Sequence, residues 1–161
     1  AALLRNEPIR WHIIGDGSNE EDCRRLAASL ALENVIFYGR RPLSDMPSFY
    51  AMADAMLVSM RDDISVNDTL PGKVQSYMAA GKPVLGSIAG ETAYVIRQAQ
   101  CGFCAPPDDP EAFAGVVRRF LAAGDKLEMG RRGQAYYDAH FTKREHMDRL
   151  ESMLTALAGG K

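Results

Sequence analysis

Five short apolar runs, separated by segments of helical periodicity, narrow the folds open to this chain to one class. Ile9 to Ile14 reads I-R-W-H-I-I and stops at Gly15-Asp16-Gly17, and Asn34 to Tyr38 reads N-V-I-F-Y and stops at Gly39. Ala55 to Ser59 (A-M-L-V-S), Val84 to Ile88 (V-L-G-S-I) and Gly102 to Ala105 (G-F-C-A) complete the set. Most are continuous apolar runs without alternation, the pattern of strands covered on both sides. Between them, Asn19 caps a helix through Leu30 with Cys23, Leu26, Ala27 and Leu30 on one face. Ser44 caps a short helix to Met52 with Phe49 and Met52 inward, and Glu91 to Gln98 is helical. After Pro110 the chain is wholly helical: Glu111 to Ala122, Asp125 to His140, and Thr142 to Leu157, the last with Met147, Leu150 and Leu154 on one stripe. This alternation predicts an α/β fold, a Rossmann-like parallel sheet with helices on both faces followed by C-terminal helices. Ligands of such sheets bind beyond the carboxyl ends of the strands. The loops Gly15-Asp16-Gly17, Gly39-Arg40-Arg41, Ser59 to Pro71 and Ala89-Gly90-Glu91 should therefore converge.

The stretch from Thr69 to Ser87 carries the chemistry. It reads as a loop, a short helix opened by Pro71-Gly72-Lys73, a stop at Gly81-Lys82-Pro83, and a buried strand. Pro71 is pre-set for the first helical turn, and Gly72 lets a ligand approach the backbone. The unpaired N–H groups of that turn, the helix dipole and the Lys73 ammonium suit a phosphate. An ordinary α-to-β connection with no ligand is the competing reading.

Composition closes off other classes. At 161 residues one domain is expected, and 47% hydrophobic with 25% charged residues is ordinary globular composition. A net charge of −2 offers no field for a nucleic-acid backbone. No apolar run approaches the ~20 residues of a membrane span, and the early charges of Arg5-Asn6-Glu7-Pro8 do not read as a signal peptide. Three cysteines, Cys23, Cys101 and Cys104, form no disulfide framework and point to a reduced, cytoplasmic protein. Cys101-Gly102-Phe103-Cys104 lacks a second ligand pair for zinc and runs into Ala105-Pro106-Pro107 instead of opening a helix, so its thiols read as structural. His12, mid-strand, reads as a core histidine. The chain enters its first strand straight from Ala1-Ala2-Leu3-Leu4, without the earlier strand and turn of a doubly wound domain, and so reads as a piece of a longer protein.

Together the pieces resemble the C-terminal half of retaining GT-B glycosyltransferases, the glycosyl transferases group 1 family. The resemblance runs from about Ile9 to Leu157. It rests on Ile14-Gly15-Asp16-Gly17, Asn34-Val35-Ile36-Phe37-Tyr38-Gly39, Ala53 to Ser59, Leu70-Pro71-Gly72-Lys73, Tyr77-Met78-Ala79-Ala80-Gly81-Lys82-Pro83-Val84, and Cys101-Gly102 leading to Asp108-Asp109-Pro110. Their order and spacing make the match.

The resemblance implies transfer of a sugar from a nucleotide-diphosphate donor, often a uridine diphosphate (UDP) sugar, to a glycan or lipid-linked acceptor. The acceptor belongs to an N-terminal domain outside this chain, and 1–161 is a single nucleotide-sugar-binding domain. No cofactor and no metal are implied, so protein groups must neutralise the leaving diphosphate: Lys73, the N–H groups at Gly72 and Lys73, and Arg61. The family's paired glutamates, eight positions apart, fall on Asp68 and Ser76. Asp68 keeps a carboxylate near the donor sugar, whereas Ser76 offers the ribose only a hydroxyl, a task Gln75 can share. Gly15 and Gly17 either let the nucleotide lie close or simply make a turn. Arg40 and Arg41 either face the base or are surface arginines. Glu91 lies at a helix start near the donor, where it also suits the dipole with no ligand. The resemblance further implies that the helix from Thr142 crosses to the partner domain, leaving its apolar stripe exposed here. Surface polysaccharide synthesis is the expected setting, from the Pro-Gly-Lys-Val-Gln variant. Two alternatives remain: a sugar-nucleotide epimerase of the same fold, and a non-catalytic, receiver-like signalling domain.

Overall fold

All five apolar runs form strands, and every pairing among them is parallel. The structure, a computed structural model, describes residues 1–61 and 68–159. Its contacts divide the chain into two compact units, Ala1–Phe49 and Tyr50–Lys161.

In the first unit, β1 (Trp11–Ile13) pairs with β2 (Val35–Phe37) through α1 (Glu20–Ser29). The strands are shorter than the apolar runs; before them, Asn34 uses its side-chain amide to hold the Ile9 carbonyl at 3.1 Å. Asn19 is the N-cap of α1 but makes no side-chain cap bond, and Glu20, Glu21 and Asp22 complement the helix dipole there. No residue of α1 is buried, and Leu26 and Leu30 of its apolar face are exposed. His12 is exposed as well, not a core histidine, and its Nδ1 lies 2.9 Å from the Tyr38 hydroxyl. A 3-10 turn, Leu43–Asp45, precedes α2 (Met46–Met52). Ser44 therefore caps no helix: its hydroxyl donates to the Asp45 carboxylate at 3.3 Å. Phe49 packs edge-on against Tyr38, but Met52 is 52% exposed and does not face inward.

The second unit holds the core. Its sheet runs β3 (Met56–Ser59), β4 (Val84–Ser87), β5 (Gly102–Ala105), with β4 central. Burial follows that order. Every residue of β4 is buried, whereas Leu57 on β3 is 40% exposed, although its run looked too apolar for a half-exposed strand. Around the sheet lie α3 (Gly72–Ala79), α4 (Gly90–Gln98), α5 (Pro110–Ala122) and α6 (Lys126–His140), followed by α7 (Lys143–Gly159). Val58, Val74, Met78, Val84, Ile96 and Cys101 are the most deeply buried of the core. Thr142 opens α7 by accepting the Glu145 N–H, and Met147, Leu150 and Leu154 are exposed along it.

Three helices end alike, with a left-handed residue one position past the cap and a backbone bond closing the turn behind it. At α3 that residue is Gly81, φ +64°, with Lys82 N–H bonded to Tyr77 at 3.1 Å. At α1 it is Ala31, φ +49°, and at α4 Gln100, φ +49°, closed by Leu32 to Ala27 and Cys101 to Ile96. Side chains in that region cost about 1–2 kcal/mol relative to glycine. Ala31→Gly and Gln100→Gly are each expected to stabilise the protein by about 1 kcal/mol, measured as a rise in the denaturant midpoint at unchanged slope.

Lys82 explains how the short helix α2 is finished. Its ammonium donates to the Ala51 carbonyl at 3.1 Å and the Ala53 carbonyl at 2.8 Å, joining the end of α2 to the entry of β4. A cation bonded to the last carbonyls of a helix also meets the negative end of the dipole.

Candidate functional site

In the first unit, β1 and β2 extend their ladder into the two loops at their carboxyl ends. The Gly15 N–H donates to the Gly39 carbonyl at 2.9 Å, which sets Gly15-Asp16-Gly17 beside Gly39-Arg40-Arg41. Gly15 has φ +140°, a conformation that side chains rarely adopt. No atom lies within 4 Å of a Cβ built on Gly15 or Gly17, so the backbone is open to a close approach. The Arg40 guanidinium faces the Asp16 carboxylate at 3.6 Å, with both side chains largely solvated, and such a pair holds its geometry weakly. Arg41 lies over the Tyr38 ring, 5.9 Å from its centroid.

In the second unit, β3 and β4 deliver their loops to the same edge because they run parallel. The N-cap of α3 is Pro71, with ψ 138°, and Gly72 is the first helical residue. Pro71 thus stands one position earlier than a place inside the first turn, its carbonyl accepting the Val74 N–H at 2.9 Å. Proline has no side-chain acceptor, so the first N–H groups of α3 gain no cap from it. The N-cap of α4, Ala89, has none either. By contrast α5 is capped by its own Asp109, whose carboxylate accepts the Ala112 N–H at 2.8 Å, with Pro110 following. Gly72 and Lys73 are exposed, and nothing lies within 4 Å of a Cβ built on Gly72.

The start of α3 is joined to the start of α4. Thr92, 1% exposed in the first turn of α4, donates its hydroxyl to the Thr69 carbonyl at 2.8 Å. This brings Leu70, Pro71, Gly72 and Lys73 toward Gly90 and Glu91. Leu70 packs against the core, and Glu91 is exposed in the first turn of α4. Gln75 is half-buried one turn along α3. The Ser76 hydroxyl donates to the Gly72 carbonyl at 3.1 Å, leaving its lone pairs as acceptors. Asp68 sits exposed in a turn and Arg61 is exposed after β3. Residues 62–67 of the loop from Ser59 to Pro71 lie outside the described residues.

Sequence reasoning missed Thr92, although a threonine beside Ala93, Val95 and Ile96 on an inward helix face must find a partner for its hydroxyl. It also missed the Asp16–Arg40 pair, which joins residues of two separate loops.

Cys101 is buried and Cys104 half-buried, whereas Cys23 is exposed. Burial pushes Cys101 up to about 12 and Cys104 to about 11, and Cys101 Sγ sits 3.7 Å from the Ile96 carbonyl. Thiolate is the reactive species. At pH 8 iodoacetamide is therefore expected to label exposed Cys23 rapidly and the other two only in denaturant, a difference mass spectrometry reads directly. Among the described residues no three His, Cys, Asp or Glu side chains are grouped to hold a metal, and no helix is long and apolar enough to cross a membrane.

Parallel strands with flanking helices define a Rossmann-like α/β fold, and the solved structures similar to it include GT-B glycosyltransferases. An Anabaena protein, HepE, determined in complex with UDP and glucose, superposes with a TM-score of 0.77 at 21% identity, over 96% of this chain and 42% of that one. WaaG, a glycosyltransferase involved in lipopolysaccharide biosynthesis, gives 0.66 at 22% identity, over 82% of this chain and 34% of that one. At such identities the likeness is one of fold. The profile described as "Glycosyl transferases group 1" matches residues 1–123, and the chain belongs to that family. It is 30% identical over 134 residues to the D-rhamnosyltransferase WbpZ of Pseudomonas aeruginosa, across 81% of this chain and 34% of that protein. The chain spans between 29% and 34% of the length of the curated relatives it matches.

Proposed function

We propose that this chain is the nucleotide-sugar-binding, C-terminal half of a retaining glycosyltransferase and that its donor is a UDP sugar. The observation that carries the reading is the start of α3: a proline N-cap without an acceptor, an open Gly72 and an exposed Lys73, all at the carboxyl edge of the sheet. A diphosphate satisfies those N–H groups, and the ammonium balances its charge. In this reading Lys73, with Arg61, stabilises the departing diphosphate, and Asp68 stands by the donor sugar. Glu91 lies near that sugar, and Ser76 and Gln75 hold the ribose. In the first unit, Gly15 and Gly17, with Arg40 and Arg41 beside them, are by the family resemblance the candidates for contact with a nucleotide and its base. Leu70 and Pro71 fix the approach to the phosphate turn. No cofactor or metal takes part.

The HepE complex supports UDP as the nucleotide, and the role of WaaG in lipopolysaccharide biosynthesis supports a polysaccharide or lipid-linked acceptor; in this reading an N-terminal domain binds it. Three free cysteines support a cytoplasmic setting. Alone, the chain binds donor and transfers nothing, because the acceptor half is needed.

Calorimetric titration of UDP into this chain tests the reading. Saturable binding that weakens about tenfold or more in Lys73→Ala is the expected result. Binding that Lys73→Ala leaves unchanged removes the phosphate site from α3, and sugar transfer by this chain alone overturns its assignment as half an enzyme.

A further inference from the structure

The start of α3 needs something to hold it, and its N-cap does not supply that. A serine or aspartate at an N-cap ties the chain to the second or third helical N–H and so sets the angle at which the loop enters the helix. Pro71 cannot make that bond. Thr92 is placed to do the work from outside. Its hydroxyl reaches the Thr69 carbonyl, two residues before Pro71 and 23 positions away in sequence. Threonine in a helix ordinarily returns its hydroxyl to the backbone of its own helix; this one leaves α4 for the neighbouring loop. The anchor behind it is firm, since Ala93, Val95 and Ile96 of α4 are buried in the core.

We infer that Thr92 is a positioning residue for the diphosphate: by fixing the Thr69 carbonyl it sets the direction in which the Gly72 and Lys73 N–H groups point. The inference rests on the proposed diphosphate site. Thr92 touches no ligand and acts only through the loop. The hydroxyl and the methyl of this side chain then have separable tasks. The methyl fills space in the core, and the hydroxyl holds the loop. Removing the hydroxyl takes away this one tie between α4 and the loop, while the methyl and the buried packing of α4 remain.

The test is titration of this chain with the diphosphates of uridine, guanosine and thymidine, and with the matching free nucleoside, alongside thermal melts. Thr92→Val keeps the shape and loses the donor. It should keep its Tm within a few degrees, bind the diphosphate about five- to tenfold more weakly, and bind the nucleoside as the wild type does. Thr92→Ser keeps the donor and loses the methyl. It should melt several degrees lower yet bind the diphosphate normally. A purely structural role predicts the reverse, with affinity following Tm and the nucleoside weakened as much as the diphosphate. Wild-type affinity in Thr92→Val, or weakened binding in Thr92→Ser, overturns the inference while leaving the diphosphate site standing. Failure of the wild type to bind any of the three diphosphates overturns that site, and the role of Thr92 with it.

Discussion

On the proposed reading of the α3 site, Lys73→Ala in the full-length protein is expected to lower kcat by about 10²–10³-fold while KM for the donor rises far less. The asymmetry follows from when the charge appears. A sugar diphosphate already carries negative charge when bound, but the bridging oxygen gains more as the glycosidic bond breaks. A cation aimed at that oxygen is worth more in the transition state than in the ground state, which is the condition for lowering a barrier. Removing one such fixed donor costs about 10²–10³ in rate in well-studied oxyanion sites. Lys73 sits at the positive end of α3, so the backbone N–H groups at Gly72 and Lys73 remain in the variant and keep much of the ground-state binding. Lys73→Arg should recover part of the loss at most, because a broad planar guanidinium does not place its charge where an ammonium does. Steady-state kinetics with donor varied at saturating acceptor separate the two constants. A rise in KM with kcat unchanged would make Lys73 a binding residue only.

The parts of this site that could be read from the sequence are those encoded locally. Val84 to Ser87 could be recognised because a central parallel strand is buried on every side and must be apolar throughout. The Pro71-Gly72-Lys73 start and the Gly81 stop were visible because each is decided by the φ/ψ limits of one or two residues. Parallel strands then bring the loops of each sheet to one edge, and the Gly15–Gly39 hydrogen bond and the Thr92–Thr69 bond are instances of that rule. What escaped was decided by a competing local turn or by residues far apart in the chain. Ser44 looked like a cap, but Pro42 starts a 3-10 turn first and moves the helix start to Met46. Leu57 looked buried because composition does not say which strand lies at an edge. The glycines of α6 carried no signal at all, since what they meet lies far off in the chain: Gly81 for Gly130 and Cys101 for Gly133.

The contact between Gly130 and Gly81 makes the second large effect predictable. Gly130→Ala is expected to destabilise the protein by about 3 kcal/mol or more. A methyl on Gly130 would run into the carbonyl of Gly81, the residue that ends α3, with the carbonyl carbon itself only 3.0 Å away. A side chain tip could swing aside; a backbone carbonyl in a closed helix-terminating turn cannot do so without moving α3 or α6. One turn on, Gly133 repeats the fit, with a Cβ there only 2.9 Å from the Cβ of Cys101, so α6 cannot slide to make room. Overpacking against side chains typically costs 1–3 kcal/mol, and contact with fixed backbone belongs at or above the top of that range. Gly115 is the control: it too is mid-helix, in α5, but exposed and with nothing within 4 Å of a built Cβ. There only helix propensity acts, and Gly115→Ala should stabilise by about 0.5–1 kcal/mol. Urea unfolding of the two variants should therefore move the midpoint in opposite directions. Because α3 bears Lys73 near its other end, Gly130→Ala should also weaken UDP binding under conditions where the protein remains folded. Unchanged affinity in a destabilised variant would show that α3 keeps its place without the support of α6.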